Sequence, residues 1–261
     1  MDLTTLSQTG TYREHSVQLS SGTLALQYVG STDKPLLVCL HGWLDNSASF
    51  KALAHQLYSD YQLLLIDLPG HGLSDPLPIG ADYYIWKNVE VLYELFSQLQ
   101  IDQVSLVGHS MGGIVASLFA GTFPDRVQQL ILLDSLGPMV TEANQAAAQL
   151  ANAIKDMFKP NSKLRVFANN DEALIARKKL SAHVTDDALL PIVMRNLMAV
   201  EGGFSWRTDK RLRHSSKVRL TEDQLQAFFV AIKAKVLVIL AKEGIIPKTW
   251  QDARLPKLTT P

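Results

Sequence analysis

The chain has 261 residues, 47% hydrophobic and 19% charged, and its 25 lysines and arginines balance 25 aspartates and glutamates to a formal net charge of +0. That length suits one globular unit or a core with one insert, and without surplus positive charge a nucleic-acid backbone or a membrane surface is not expected as a partner. Met1 to Gly10 has neither a basic n-region nor an apolar h-region, and no later stretch supplies the ~20 apolar residues of a bilayer span, so a soluble, cytoplasmic protein is expected.

In chain order, residues 15–19 and 23–28 flank Ser20-Ser21-Gly22 and read as an antiparallel hairpin at a sheet edge. The apolar run 36–40 reads as a buried strand, with the single cysteine, Cys39, serving as a small hydrophobe. It leads directly into His41-Gly42-Trp43-Leu44-Asp45. A helix over 47–58 and a second buried strand over 61–66 follow. That strand ends in Asp67-Leu68-Pro69-Gly70-His71-Gly72-Leu73-Ser74, which lacks the GxGxxG and GxxxxGK[ST] spacings that cradle phosphate and so reads as a tight turn, with His71 hydrogen-bonded inside it.

Residues 84–99 form a helix in which Val89, Leu92, Phe96 and Leu99 share one face. The strand 104–107 then enters Gly108-His109-Ser110-Met111-Gly112 and a helix over 111–122. Glycine at both ends lets a strand turn into a helix where a Cβ would strike backbone. Such a turn leaves the serine Oγ exposed at the carboxyl edge of the sheet and aims the unpaired N–H groups of the helix start at developing negative charge. Ser110 is therefore the candidate nucleophile. Acyl transfer needs a second donor on the oxyanion, and the loop after 36–40 is where it would come from, so the backbone N–H groups of Trp43 and Met111 are assigned to an oxyanion hole. His41 reads as a residue that orders this loop rather than as an acid or base, and His109 as one hydrogen-bonded within its own loop.

The strand 127–133 ends in Asp134, and about 100 residues separate it from the next apolar run, 236–240, far more than a βα connection needs. An inserted, mostly helical cap over 136–220 accounts for them, leaving 1–135 and 221–261 as the core. Ala147, Leu150, Ala151, Ile154, Met157 and Phe158 form one helical stripe, ended by Lys159-Pro160 and expected to pack on the core; Leu174 and Ile175 begin another. Arg207, Lys210, Arg211, Arg213, Lys217 and Arg219 crowd the end of this region with only Asp209 opposing them. A solvated face is the default, and a grip on a substrate carboxylate or phosphate the alternative. Thr221 with Gln224 spells a capping box for a helix that returns the chain to the sheet.

Short buried runs joined by amphipathic stretches predict a mostly parallel α/β sheet flanked by helices. HGWLDN, DLPGHGLSD and GHSMGG with the following FPDRVQQLILLDS, in this order, resemble the α/β-hydrolase superfamily from about Ser16 to Pro247; the HGWLDN form is similar to the subgroup called serine hydrolase-like proteins. The resemblance implies an α/β-hydrolase sheet, a helical cap after the sixth strand and a Ser, acid, His triad. It argues against haloalkane dehalogenases and epoxide hydrolases, whose nucleophile is Asp where this chain has Ser110.

Two acids are offered. Glu243, after the strand 236–240 and four residues before Pro247, is similar to the usual placement and is the first choice; Asp134 ends the preceding strand, a position some relatives use. The family's histidine follows the last strand, and no histidine lies beyond His214. Either the sequence is a shortened one, its last strand only beginning at Lys257-Leu258-Thr259-Thr260, or the triad is broken; His183 and His214 are weak substitutes. The expected activity is hydrolysis of an ester or related acyl bond of a small, partly apolar molecule, without cofactor or metal. Thioester or carbon–carbon bond hydrolysis at the same site, and ligand binding without turnover, are the alternatives.

Overall fold

Arg13–Leu19 (β1) and Gly22–Val29 (β2) pair antiparallel, Leu19 facing Gly22 across the turn. The computed structural model describes residues 12–159, 165–181 and 183–258, so that Met1 to Gly10, Pro160, Thr259 and Thr260, which entered the expectations above, lie outside the described residues. The hairpin edges a seven-stranded sheet built with Leu36–Leu40 (β3), Gln62–Ile66 (β4), Val104–His109 (β5), Val127–Leu133 (β6) and Lys235–Ile239 (β9), in the order β1-β2-β4-β3-β5-β6-β9. The pair β2–β4 is antiparallel, and every neighbouring pair from β4 to β9 is parallel. Parallel strands covered on both faces need apolar side chains on both, which is why β3, and β4 after Gln62, read as apolar runs.

The two faces divide by the alternation of the strand. Leu37, Cys39, Leu63, Leu65 and Val107 pack under Lys51–Leu57 (α1), with Phe50 and Ala54. Val38, Leu40, Leu64, Ile66 and Leu106 pack under Lys87–Gln98 (α2), Met111–Thr122 (α3) and Glu222–Ala231 (α7). The capping box starts α7 as expected: Gln224 N–H donates to Thr221 Oγ1 at 3.3 Å and Thr221 N–H to Gln224 Oε1 at 2.9 Å. Cys39 is fully buried, and burial pushes its thiol far above the ordinary range.

Between β6 and α7 lie Ala146–Met157 (α4), Asn170–Lys178 (α5), Asp186–Asn196 (α6) and a hairpin of Leu197–Val200 (β7) with Gly203–Trp206 (β8). This stretch, called the insert below, is not helical throughout. The hairpin helps to close a small cluster of its own, in which Phe167, Ala173, Ala176, Val193 and Leu197 are buried and Phe204 and Trp206 pack against them.

Two expectations fail. The stripe on α4 does not pack on the core: Leu150 and Ile154 are each 42% exposed and Phe158 82%, and Ala153 is the buried residue of the helix. Lys257 and Leu258 do not begin a strand; they end the helix Lys248–Leu258 (α8). It is held by Arg254, which is fully buried, donates to Glu222 and to the carbonyls of Leu136 and Pro138, and lies 3.9 Å from the centre of the Trp250 ring. A guanidinium can bind a carboxylate and two carbonyls at once because its donors fan out in one plane. Among the described residues no helix is long and apolar enough to cross a membrane.

Candidate active site

The turn from β5 into α3 is set by backbone meeting backbone. A Cβ on Gly108 would lie 2.4 Å from Gly112 O and from Gly113 N, and a Cβ on Gly112 would lie 1.9 Å from Leu40 O. No side chain fits at either place, so the chain crosses between strand and helix closer than any other residue permits. Ser110, at the apex, takes φ 49° and ψ −115°. A non-glycine residue at positive φ is strained and persists only where its surroundings fix it. Here they do: Ser110 N–H donates to Leu133 O at 3.0 Å, Ser110 O accepts from Ser135 Oγ at 2.8 Å, and the Gly113 and Ile114 N–H groups close on the same carbonyl.

The parallel register Leu40 with Gly108 brings the end of β3 beside the turn. The loop that leaves β3 then lies against it, since a Cβ on Gly42 would meet His109 Nδ1 at 2.9 Å. The backbone N–H groups of Trp43 and Met111 find no acceptor among the described residues. Two unpaired donors thus stand at the carboxyl edge of the sheet, one in the loop after β3 and one at the first residue of α3. His41 holds the loop from beneath: fully buried, it accepts from Leu68 N–H at Nε2 (3.0 Å), which leaves Nδ1–H to donate to Gly42 O at 2.8 Å. Burial lowers its pKa to about 4, and that of the neighbouring His71 to about 3. His71 Nδ1 lies 3.0 Å from Pro69 O, the bond within its turn that was expected.

Asp134 and Glu243 stand in different surroundings. Asp134 has φ 48°, its N–H donates to Ile239 O at 2.7 Å, and its Oδ1 accepts from Ala241 N–H at 3.2 Å. Its carboxylate lies against Gly244, where a Cβ would come within 2.5 Å of Oδ1. The residues on either side of it, Leu133 and Ser135, both bond the Ser110 backbone, alongside Gly113 and Ile114. Glu243 is exposed and makes no hydrogen bond or ion pair among the described residues. His183 is exposed in the insert, His214 is partly buried at the end of a 3-10 turn, and no described imidazole hydrogen-bonds Ser110 Oγ; nor does His109 make the bond within its loop that was expected.

Charged contacts that sequence reasoning missed tie the insert to this edge. Asp67, wholly buried, accepts from the N–H groups of Ser47 (2.7 Å) and Leu73 (2.8 Å) and from Arg195 Nε (2.8 Å), while Arg195 Nη1 reaches Glu14 at 2.6 Å. Arg177 pairs with Asp45 at 2.5 Å, Asn46 Nδ2 donates to Ile192 O at 2.8 Å, and Trp43 Nε1 donates to Leu212 O at 3.0 Å. Nothing in the spacing of residues 67 and 195 announces such a pair; only the buried acid after β4 hinted that a cation would be needed.

A family model described as alpha/beta hydrolase fold matches residues 35–250. The chain is 31% identical over 251 residues to a protein of Danio rerio named serine hydrolase-like protein, covering 89% of this chain and 77% of that one. It is 28% identical over 251 residues to a probable serine hydrolase of Drosophila melanogaster, covering 92% and 76%. A solved structure of a hypothetical protein from Pseudomonas aeruginosa PAO1 is similar with a TM-score of 0.89 at 33% identity, over 94% of this chain and 87% of that one.

Proposed function

From membership of the α/β-hydrolase fold family, to which this chain belongs, we propose that it is a serine hydrolase cleaving an ester or related acyl bond of a small, partly apolar molecule through an acyl-enzyme at Ser110. The observation that carries this reading is the strained Ser110 set beside two unpaired backbone donors. Ser110 Oγ attacks the carbonyl carbon, and the N–H groups of Trp43 and Met111 take the negative charge that collects on the carbonyl oxygen. The alcohol leaves, and water then releases the acyl group from Ser110. Asp134 is the better supported acid, because its carboxylate is held in place between β6 and the chain leaving β9 while Glu243 projects into solvent. A fixed carboxylate there would orient an imidazole and stabilise its charged form. The insert, residues 136–220, acts as the cap over this edge, in keeping with its contacts to Trp43, Asp45 and Asn46.

The test is labelling by a fluorophosphonate, which reports an activated serine whatever the substrate. Modification at Ser110, lost in Ser110→Ala together with turnover of a chromogenic ester, is the expected result. A chain that binds esters, releases no alcohol and resists the probe would be a binding protein built on the same scaffold.

A further inference from the structure

A cavity of about 580 Å³ opens between α5, α6, β8 and the 208–214 loop, and Leu44 of the loop after β3 forms part of its wall. Leu44 follows Trp43 directly in the chain, so the cavity shares one wall residue with the loop that carries a proposed oxyanion donor. Its floor is apolar: Ala176, Ile192 and Val193 are buried there and Trp206 is partly so. Its rim is cationic, with Arg165, Lys179, Lys210 and Arg213 all exposed and all without a carboxylate partner among the described residues. Asp156, the acid of this lining, is already engaged by Lys159 at 2.7 Å and by the N–H and hydroxyl of Ser215 at 3.0 Å; those bonds, the lysine first, lower its pKa to about 2.

The contrast with the nearby cations is informative. Arg211 is spent on Asp209, on the carbonyls of Leu77 and Pro78 and on the Tyr83 ring, Lys217 on Asp82, and Arg207 on Leu197 O. Of the six basic residues clustered in the sequence, Lys210 and Arg213 line the cavity, and Arg165 and Lys179 join them from elsewhere in the chain. Like charges gathered without counter-ions repel one another, and an anion placed among them relieves this while accepting charge-assisted hydrogen bonds.

We propose that this cavity is a specificity subsite for an amphiphilic organic anion, with a hydrocarbon part on Ala176, Ile192 and Trp206 and a carboxylate or phosphate on Lys179, Lys210 and Arg213. The inference rests on the hydrolase reading for its meaning, since it makes the preferred substrate an acyl compound that carries an anionic group away from the scissile bond. It does not need turnover to be tested.

Calorimetric titration of the purified chain with octyl phosphate, octanoate and octan-1-ol, all below their aggregation limits, isolates charge from hydrocarbon. Both anions are expected to bind at least about tenfold more tightly than the alcohol, and Lys210→Gln with Arg213→Gln to remove most of that difference while leaving the alcohol unchanged. Lys34→Gln, at an exposed lysine far along the chain, serves as the control and changes none of the three. The ratio of octyl phosphate to octanoate identifies which headgroup the rim suits. Equal affinities for all three, undiminished anion binding in the double variant, or inorganic phosphate binding as well as octyl phosphate would each overturn the inference. Fluorophosphonate labelling on the same preparation separates the two readings. Labelling without anion binding removes the subsite alone, and anion binding without labelling removes the hydrolase alone.

Discussion

Around Ser110 the chain is fixed by backbone packed on backbone, Gly108 and Gly112 leaving no room for a Cβ, whereas the insert meets the core largely through charge and hydrogen bonds: Arg195 with Asp67 and Glu14, Arg177 with Asp45, Trp43 with Leu212. The first kind of attachment has one geometry and tolerates no movement. The second can be loosened by water, salt or protons where it reaches the surface, as at Glu14, and much less at the buried Arg195–Asp67 pair. On the proposed hydrolase reading, placement of the reacting atoms would rest on the first and admission of a ligand on the second.

The largest test of this contrast is Gly112→Ala. Its methyl would have to stand within bonding distance of Leu40 O, so the turn cannot form as observed, and a loss of more than about 5 kcal/mol is expected, seen as failure to show a cooperative melt. A variant that melted normally would mean that the β3–β5 contact is softer than the geometry states. Next comes Arg195→Ala, which leaves Asp67 buried with its charge unpaired and should cost about 3–5 kcal/mol in denaturant unfolding. A loss below 1 kcal/mol would show that the insert is held elsewhere.

Acid should act on the loop between the two regions. Burial lowers His41 to about 4 and His71 to about 3, below the ordinary 6.5, so the unfolded chain binds more protons than the folded one as pH falls from 6.5. The stability these neutral rings contribute is therefore whole above pH 6.5 and is lost as pH falls through about 4, amounting to about 3 kcal/mol for His41 alone. Unfolding midpoints measured at pH 7, 5.5 and 4 should decline in that order, and His41→Gln should flatten the decline. Smallest of all, Phe158→Ser on the exposed end of the α4 stripe should change stability by no more than about 0.5 kcal/mol, which thermal melting resolves.

The strands and the turn at Ser110 were legible because their physics is local. β3 and β6 have the expected limits, as does the helix after Ser110, since apolar runs and glycine pairs state their own surroundings. The hairpin in the insert carried a signal that was passed over: Glu201-Gly202-Gly203 separates two short apolar segments, and both glycines take positive φ. The stripe on α4 has the right period but does not say what covers it, and nothing in the described chain covers Phe158. The helix α8 was not read from the sequence; its Pro256 falls in the last turn, and Arg254 holds it through Glu222 and two carbonyls that lie far along the chain. Asp134 and Glu243 could not be separated by position along the chain. What separates them is the Ala241 N–H and the bare Gly244 beside one carboxylate, a matter of neighbours from another strand.

Trp43 faces two ways. Its backbone N–H is one of the two unpaired donors at the reacting edge, and its indole N–H is moored to Leu212 O in the insert. On the proposed hydrolase reading, whatever shifts the 208–214 loop also moves an oxyanion donor, and a displacement of an ångström in such a donor changes the rate on the order of 10²-fold. On that reading, affinity and speed would be geared together through one side chain. Selection for a new substrate by changes near Leu212 would retune the chemical step along with recognition, so the two traits would evolve in step rather than apart.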